Sequence, residues 1–496
     1  MTDVREELEL MIRSRYPIIY LITWEEIRLK RFIQSMATSL NKQLYTWSIS
    51  TGMESNGRTV EENKTAEAAL DFIEKSSDNA VFILKDFHPF LKEEMTVVIR
   101  RLRDLSVRLK RSYKTIIIVS PILIIPPELE KEISVLDFPL PTLQEVADLF
   151  KTMIRSVEAT RKVAINATPD LLERAVKAAL GLTENEAENV FAKALVSSAS
   201  FDERDIPLII SEKKQIIRKT GLLEYFDLSE TIKNVGGLEN LKKWLDERSY
   251  AFTERAREYG LPQPKGLLLL GVQGCGKSLV SKAVASLWQL PLLRLDVGQM
   301  FNSYIGASEA NMRKAIKIAE SIAPVVLWLD EVEKGFGGVT GSGNSDAGTT
   351  ARVFATFLTW LQEKTSPVFV VATANNIDNL PPELVRKGRF DDIFFVDLPS
   401  AVERKEIFHI HLRKRGRAPE TFGIESLAAA TEGFSGAEIE QAVIDALYRA
   451  FPQGRDILTN DIEAVINDTV PLSRTMSEDI SRLRTWAKDR ARPASA

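Results

Sequence analysis

The chain has 496 residues, 44% of them hydrophobic and 27% charged, which excludes a fibre or a mostly disordered chain and provides for two or three domains with large cores. Its 65 Lys and Arg against 69 Asp and Glu leave a net charge of −4, so there is no general basic field for nucleic acid or an anionic membrane. A single cysteine, Cys275, excludes an intramolecular disulfide framework, and three histidines beside it leave little material for zinc.

From the N-terminus, Met1 to Arg15 is charged throughout. Runs such as Ile116–Val119 and Leu267–Leu270 fall far short of the ~20 apolar residues of a spanning helix, so a soluble, cytoplasmic protein with no membrane partner is expected. Strands are predicted at Ile18–Ile22, Tyr45–Ile49, Ala80–Leu84 and Thr115–Ser120, with helices near Thr65–Lys75 and Leu91–Lys110. Ser197–Asn234 is polar, with no predicted strand, and reads as linker and connecting helix. Strands then return at Leu267–Leu270, Leu292–Asp296, Val325–Leu329 and Val368–Thr373, with helices near Lys277–Trp288, Glu309–Ser321 and Thr349–Lys364. Gly335 to Gly348 reads as a loop, and the tail from Arg490 to Ala496 as frayed. Such alternation is the pattern of α/β folds with parallel sheets, and it occurs twice.

The halves also share local text. Pro126-Pro127-Glu128-Leu129 echoes Pro381-Pro382-Glu383-Leu384, and Phe138 to Phe150 aligns with Val396 to Phe408. Gly181 through Leu195 matches Gly433 through Leu447 without a gap. Three echoes in one order point to duplication.

Gly271-Val-Gln-Gly274-Cys275-Gly276-Lys277-Ser278 fits G-x-x-x-x-G-K-[ST], after an apolar strand and before a helix. Glycines let consecutive N–H groups face an anion, and the helix N-terminus adds its positive end. Lys277 is then placed for the β/γ-phosphates of ATP and Ser278 for Mg²⁺. Val325–Leu329 is apolar throughout, so Asp330 and Glu331 emerge at the carboxyl end of a buried strand, where open α/β folds keep their ligands. Asp330 belongs on the Mg²⁺ shell, and Glu331 is placed to orient and polarise the attacking water.

With these motifs, the segment from about Asn234 to Leu447 resembles the AAA ATPases of the valosin-containing-protein type. The resemblance implies an adenine-side motif at Val235-Gly236-Gly237-Leu238 and nucleotide contacts continuing to Leu279. It also implies a sensor 1 residue at Asn375 and two finger arginines, Arg386 and Arg389, acting on a neighbouring subunit's nucleotide. A sensor 2 turn at Gly436-Ala437 and a pore loop with Tyr304 at its tip complete the set. Val272-Gln273 replaces the family's usual proline pair, and Asn234 stands where an acid is common. The first half resembles the same fold without its chemistry: Thr23-Trp24-Glu25-Glu26 stands where a P-loop would, and Leu84-Lys85-Asp86-Phe87 where the metal-binding carboxylate would. The implied architecture is a degenerate AAA-like α/β domain at 1–197 and a linker at 198–234. A P-loop NTPase subdomain at 235–400, a helical lid at 401–472 and a tail at 473–496 follow. Over the whole chain the sequence resembles AAA proteins of cyanobacteria and red-algal plastid genomes, associated with photosynthesis and inorganic-carbon use; that implies the stroma if the protein is plastid-encoded.

The expectation is thus a Mg-ATP-hydrolysing homo-hexamer that remodels or threads a protein client. An ATP-switched regulatory scaffold is the alternative. A nucleic-acid-associated protein is a third reading, from the basic face Arg100, Arg101, Arg103, Arg108, Lys110 and Arg111. His409 and His411, at i, i+2 and without H-E-x-x-H, read as structural. Cys275 lies among P-loop N–H groups at a helix N-terminus; the plain reading is a small residue at a variable position, and the sharper alternative is a thiol of lowered pKa whose oxidation or alkylation would block ATP binding.

Overall fold

A computed structural model of the protein describes residues 4–61, 63–76, 79–161, 168–197, 201–219, 221–226, 232–252, 254–297, 307–336 and 347–495. The chain forms two compact units, Met1–Ile209 and Ile210–Ala496.

The first unit carries β1 (Ile18–Ile22), β2 (Gln43–Ser48), β3 (Gly52–Ser55), β4 (Arg58–Glu61), β5 (Ala80–Lys85), β6 (Thr115–Ser120) and β7 (Ile133–Asp137) in the order β4-β3-β2-β5-β6-β1-β7. The second carries β8 (Leu223–Phe226), β9 (Gly266–Gly271), β10 (Leu292–Leu295), β11 (Val325–Leu329), β12 (Val368–Ala374), β13 (Asp392–Val396) and β14 (Arg492–Pro493) in the order β14-β13-β9-β12-β11-β10-β8. Setting aside the antiparallel β3, β4 and β8 and the two-residue β14, the parallel cores read β2-β5-β6-β1-β7 and β10-β11-β12-β9-β13. Both place their first strand between the fourth and the fifth.

The central strands β1, β5, β6, β9, β11 and β12 are apolar at nearly every position because each is buried on both faces. Leu268 and Leu270 of β9 join one core with Leu327 and Val370, while Leu267 and Leu269 join another with Val326 and Phe369. In the first unit Ile18 and Tyr20 face one core, Ile19 and Leu21 the other.

Helices after the last core strand begin alike in the two units. Thr142 and Glu145 start Leu143–Arg161 with a reciprocal side-chain-to-backbone pair, as Ser400 and Glu403 start Ala401–Lys414. Thr183 with Glu186, and Ser435 with Glu438, repeat the device at Glu184–Ser197 and Gly436–Ala450. Each satisfies two N–H groups that the helix itself leaves open, for about 1 kcal/mol.

Two expectations are corrected. The stretch 198–234 does hold a strand: β8 pairs antiparallel with β10, Leu223 opposite Leu295, and only Leu223 of its four residues is buried. An edge strand this short has too little apolar text to stand out from polar neighbours. Nor is the tail frayed: the Ala494 N–H donates to Phe395 O (2.9 Å), its carbonyl accepts from Leu241 N (3.1 Å), and its side chain is buried.

Candidate active site

The P-loop follows β9, the strand between β12 and β13. Gly271 has φ +154°, and a Cβ there would lie 2.0 Å from the Val396 carbonyl, so only glycine lets the loop leave beside β13. Gly274 has φ +78°, and a Cβ would come within 2.9 Å of Ser435 Oγ, while its carbonyl accepts from Ala437 N at 2.9 Å. The loop is thereby joined to the turn at Gly436 and Ala437. Gly276, also left-handed, precedes the helix Lys277–Trp288, and Leu279 packs partly buried against the core.

Lys277 is buried, its Nζ donating to Gly271 O (2.8 Å) and Val272 O (2.7 Å). Burial lowers its ammonium to about 8, against the pull of nearby acids including Glu333, Asp330 and Glu331. A buried cation bonded only to neutral carbonyls is poised for an anion in the loop. Ser278 Oγ donates to Asp330 Oδ1 at 3.1 Å, two oxygen donors of the kind Mg²⁺ takes beside phosphate oxygens. The donor set fits both the nucleotide and the ion.

Glu331, at φ +49°, is held by its N–H to Thr373 Oγ1 (3.0 Å), and the Thr373 hydroxyl donates to Asp330 Oδ1 (2.6 Å). Asn375 Nδ2 donates to Glu331 Oε1 at 3.0 Å, and Lys334 Nζ lies 2.7 Å from Oε2. Glu333 accepts the Asn375 N–H on Oε1 at 2.9 Å, and burial raises its carboxyl above the ordinary range. Lys277, Ser278, Asp330, Glu331 and Asn375 are thus brought together from one loop and the ends of β11 and β12. Sequence reasoning assigned no role to Thr373 or Glu333. Thr373 carried a signal, a hydroxyl two residues before Asn375 on the same strand face.

Val235 is buried, and Gly236 and Gly237 back onto the helix Ala401–Lys414, with Gly237 N donating to Glu406 Oε2 (2.7 Å) and Leu238 N to Glu403 Oε1 (3.1 Å). At the other end of the sheet's first strand, Asp391 Oδ2 accepts from Lys265 N (2.7 Å) and Gly266 N (2.9 Å), while Lys265 Nζ donates to Gly388 O (2.8 Å). That fastens the arginine turn. Arg386 is exposed, and Arg389 ends in a buried Nη1 without a hydrogen-bond partner among the described residues. Tyr304 lies outside the described residues.

At Cys275 the sharper alternative is corrected. Burial pushes its thiol up to about 12, against a smaller lowering by Lys277, so the half-buried sulfur is held as thiol. Of the basic face in the first unit, Arg100, Arg101, Arg108 and Lys110 are paired with Asp104, Asp71, Glu74 and Glu132. His411 lies 3.3 Å from Glu440 beside Arg415, a structural cluster. In the first unit the loop after β1 buries the Glu25 carboxylate, which accepts from Glu184 N (2.7 Å) and pairs with Arg28 (2.8 Å). No helix among the described residues is long and apolar enough to cross a membrane.

Comparison with known proteins agrees with this geometry. Residues 267–398 match the model of the ATPase family associated with various cellular activities (AAA), and 423–464 that of the AAA+ lid domain. Residues 4–138 and 144–220 match the N-terminal and second domains of SpoVK-like AAA ATPases. The AAA domain-containing protein ycf46 of Pyropia yezoensis is 45% identical over 499 residues, 99% of each chain. Its counterpart in Trieres chinensis is 43% identical over 497 residues, 99% of this chain and 98% of the relative. The proteasome-activating nucleotidase of Aeropyrum pernix is 36% identical over 239 residues, 46% of this chain and 57% of the relative. The chain therefore belongs to the AAA ATPases, with the ycf46 proteins, and is an ATP hydrolase.

Proposed function

We propose that the protein works as a ring of like subunits, six in number by family resemblance, and couples Mg-ATP hydrolysis to remodelling or threading a protein client. The observation that carries this reading is the finger turn. Arg386 is exposed on this turn, whereas Asp330 and Glu331 are bonded to Ser278, Thr373, Asn375 and Lys334 of their own chain. An exposed guanidinium suits phosphate on another copy. The similarity to a proteasome-activating nucleotidase supports a protein client, and the resemblance to plastid and cyanobacterial AAA proteins supports a setting in photosynthesis or inorganic-carbon regulation, in cytoplasm or stroma.

When bound, Mg²⁺ supplies charge neutralisation at the β- and γ-phosphates. Ser278 and Asp330 hold the ion, and Lys277 exchanges its two carbonyl partners for phosphate oxygens. Glu331 polarises the attacking water, with Asn375 fixing the carboxylate. Val235, Gly236, Gly436 and Ala437 frame the nucleotide from the lid side.

Mixing two inactive variants tests the ring. Arg389→Ala keeps its own acid pair, and Glu331→Gln keeps its fingers. If fingers act between copies, the mixture regains at least about 10% of wild-type turnover while each variant alone shows less than about 1%. A mixture no more active than its components overturns the trans assignment.

A further inference from the structure

Glu333 is 4% exposed, and its Oε2 has no hydrogen-bond partner among the described residues. A carboxylate withdrawn from water with one oxygen unbonded destabilises the fold, and an apolar side chain would fill the same volume at lower cost. Its Oε1 accepts the N–H of Asn375. That residue follows the last residue of β12, where the strand ladder no longer supplies an acceptor. The side chain of Asn375 in turn donates to Glu331 Oε1. Two acids from one turn therefore grip one asparagine, Glu333 by its backbone and Glu331 by its amide. Glu331 sits at φ +49°, a conformation unfavourable for a residue with a side chain, and its carboxylate is aimed by that amide on Oε1 and by Lys334 on Oε2.

We propose that Glu333 is a positioning residue for ATP hydrolysis: its buried carboxylate fixes the end of β12 so that the Asn375 amide holds Glu331 against the attacking water. The inference rests on the role given to Glu331 above. It assigns Glu333 no contact with nucleotide or ion. Losing it lowers kcat through Asn375 and leaves nucleotide binding in place.

The test uses the full chain, with steady-state ATP turnover, binding of a fluorescent ATP analogue and thermal melting. Glu333→Ala is expected to lower kcat about 30-fold with KM within about threefold of wild type. Glu333→Gln keeps an amide oxygen for the Asn375 N–H and is expected to recover to within about fivefold of wild type. Glu333→Met fills the volume without an acceptor, so it melts at or above wild type yet turns over as slowly as Glu333→Ala; this also serves if the alanine variant fails to fold. In an Asn375→Ala background, Glu333→Ala adds no further loss, because both act through one amide. Wild-type kcat in Glu333→Met, or losses at Glu333 and Asn375 that multiply, overturn the proposal. Glu331→Gln is run alongside. Its loss of turnover upholds the assignment of Glu331 whatever happens at Glu333, and its retention of turnover overturns both.

Discussion

The Thr373 hydroxyl donates to Asp330 and accepts from the Glu331 amide, so one oxygen sets how the two acids sit relative to each other. Thr373→Val keeps the shape and removes that oxygen. We expect kcat to fall about 10- to 100-fold, with a stability loss of about 1–2 kcal/mol, since an N–H and a carboxylate oxygen lose a partner. Turnover and denaturant unfolding, measured together, check it; full turnover would show that Asp330 and Glu331 are placed by other contacts. At this scale the sequence was readable where chemistry is contiguous. Gly271 to Ser278 names its own ligand, and a doubly buried strand ending in Asp330 and Glu331 does nearly the same. Thr373 and Glu333 were not readable as site residues, because their roles arise from which strand end meets which helix start. The sharper reading of Cys275 fails for a related reason: the sequence displays the dipoles near the thiol and hides the water taken from it.

The element that presents Arg386 and Arg389 is a turn fastened from behind. Asp391 takes two N–H groups at the start of β9, and Lys265 reaches the Gly388 carbonyl. Asp391→Ala unfastens the turn without touching the P-loop. Turnover is expected to drop to within about threefold of that of Arg389→Ala, while affinity for the ATP analogue stays within about threefold of wild type. A parallel loss of affinity would mean that the damage spreads through β9 to the P-loop. Eight of the ten core strands were legible to within two residues, since burial on both faces writes an unbroken apolar run. The strands missed at sequence level were β3, β4, β7, β8, β13 and β14. Arg58–Glu61 has no buried residue and Leu223–Phe226 only one, so their strand character comes from the partner they pair with.

At the scale of the whole molecule, two sheets with one core order and two pairs of matching helix starts support descent from a single duplicated unit. The copies have diverged where the chemistry lies. In the second, the Gly274 carbonyl meets the lid helix and Lys277 is buried against the Gly271 and Val272 carbonyls; in the first, the Glu25 carboxylate itself takes the helix N–H and is sealed there by Arg28. Negative charge already occupies the place where phosphate would be drawn in. The full chain is therefore expected to bind a single nucleotide, and Lys277→Ala to remove binding altogether. Calorimetric titration decides this; residual binding in Lys277→Ala would show a working site in the first unit.

The last turns of chain carry a consequence for synthesis. Arg492 and Pro493 complete the sheet beside β13, Ala494 binds the backbone at Leu241 and Phe395, and the Ser495 hydroxyl donates to Glu403 at the start of the lid. Glu403 also holds Leu238, beside the adenine-side glycines. The first unit has both cores within its own residues and is free to fold while the ribosome is still at work. The second cannot close its sheet edge until residues 492–495 have emerged. A nascent chain thus presents a finished first unit before the sheet edge of the second is complete, and the order of translation separates the two in time.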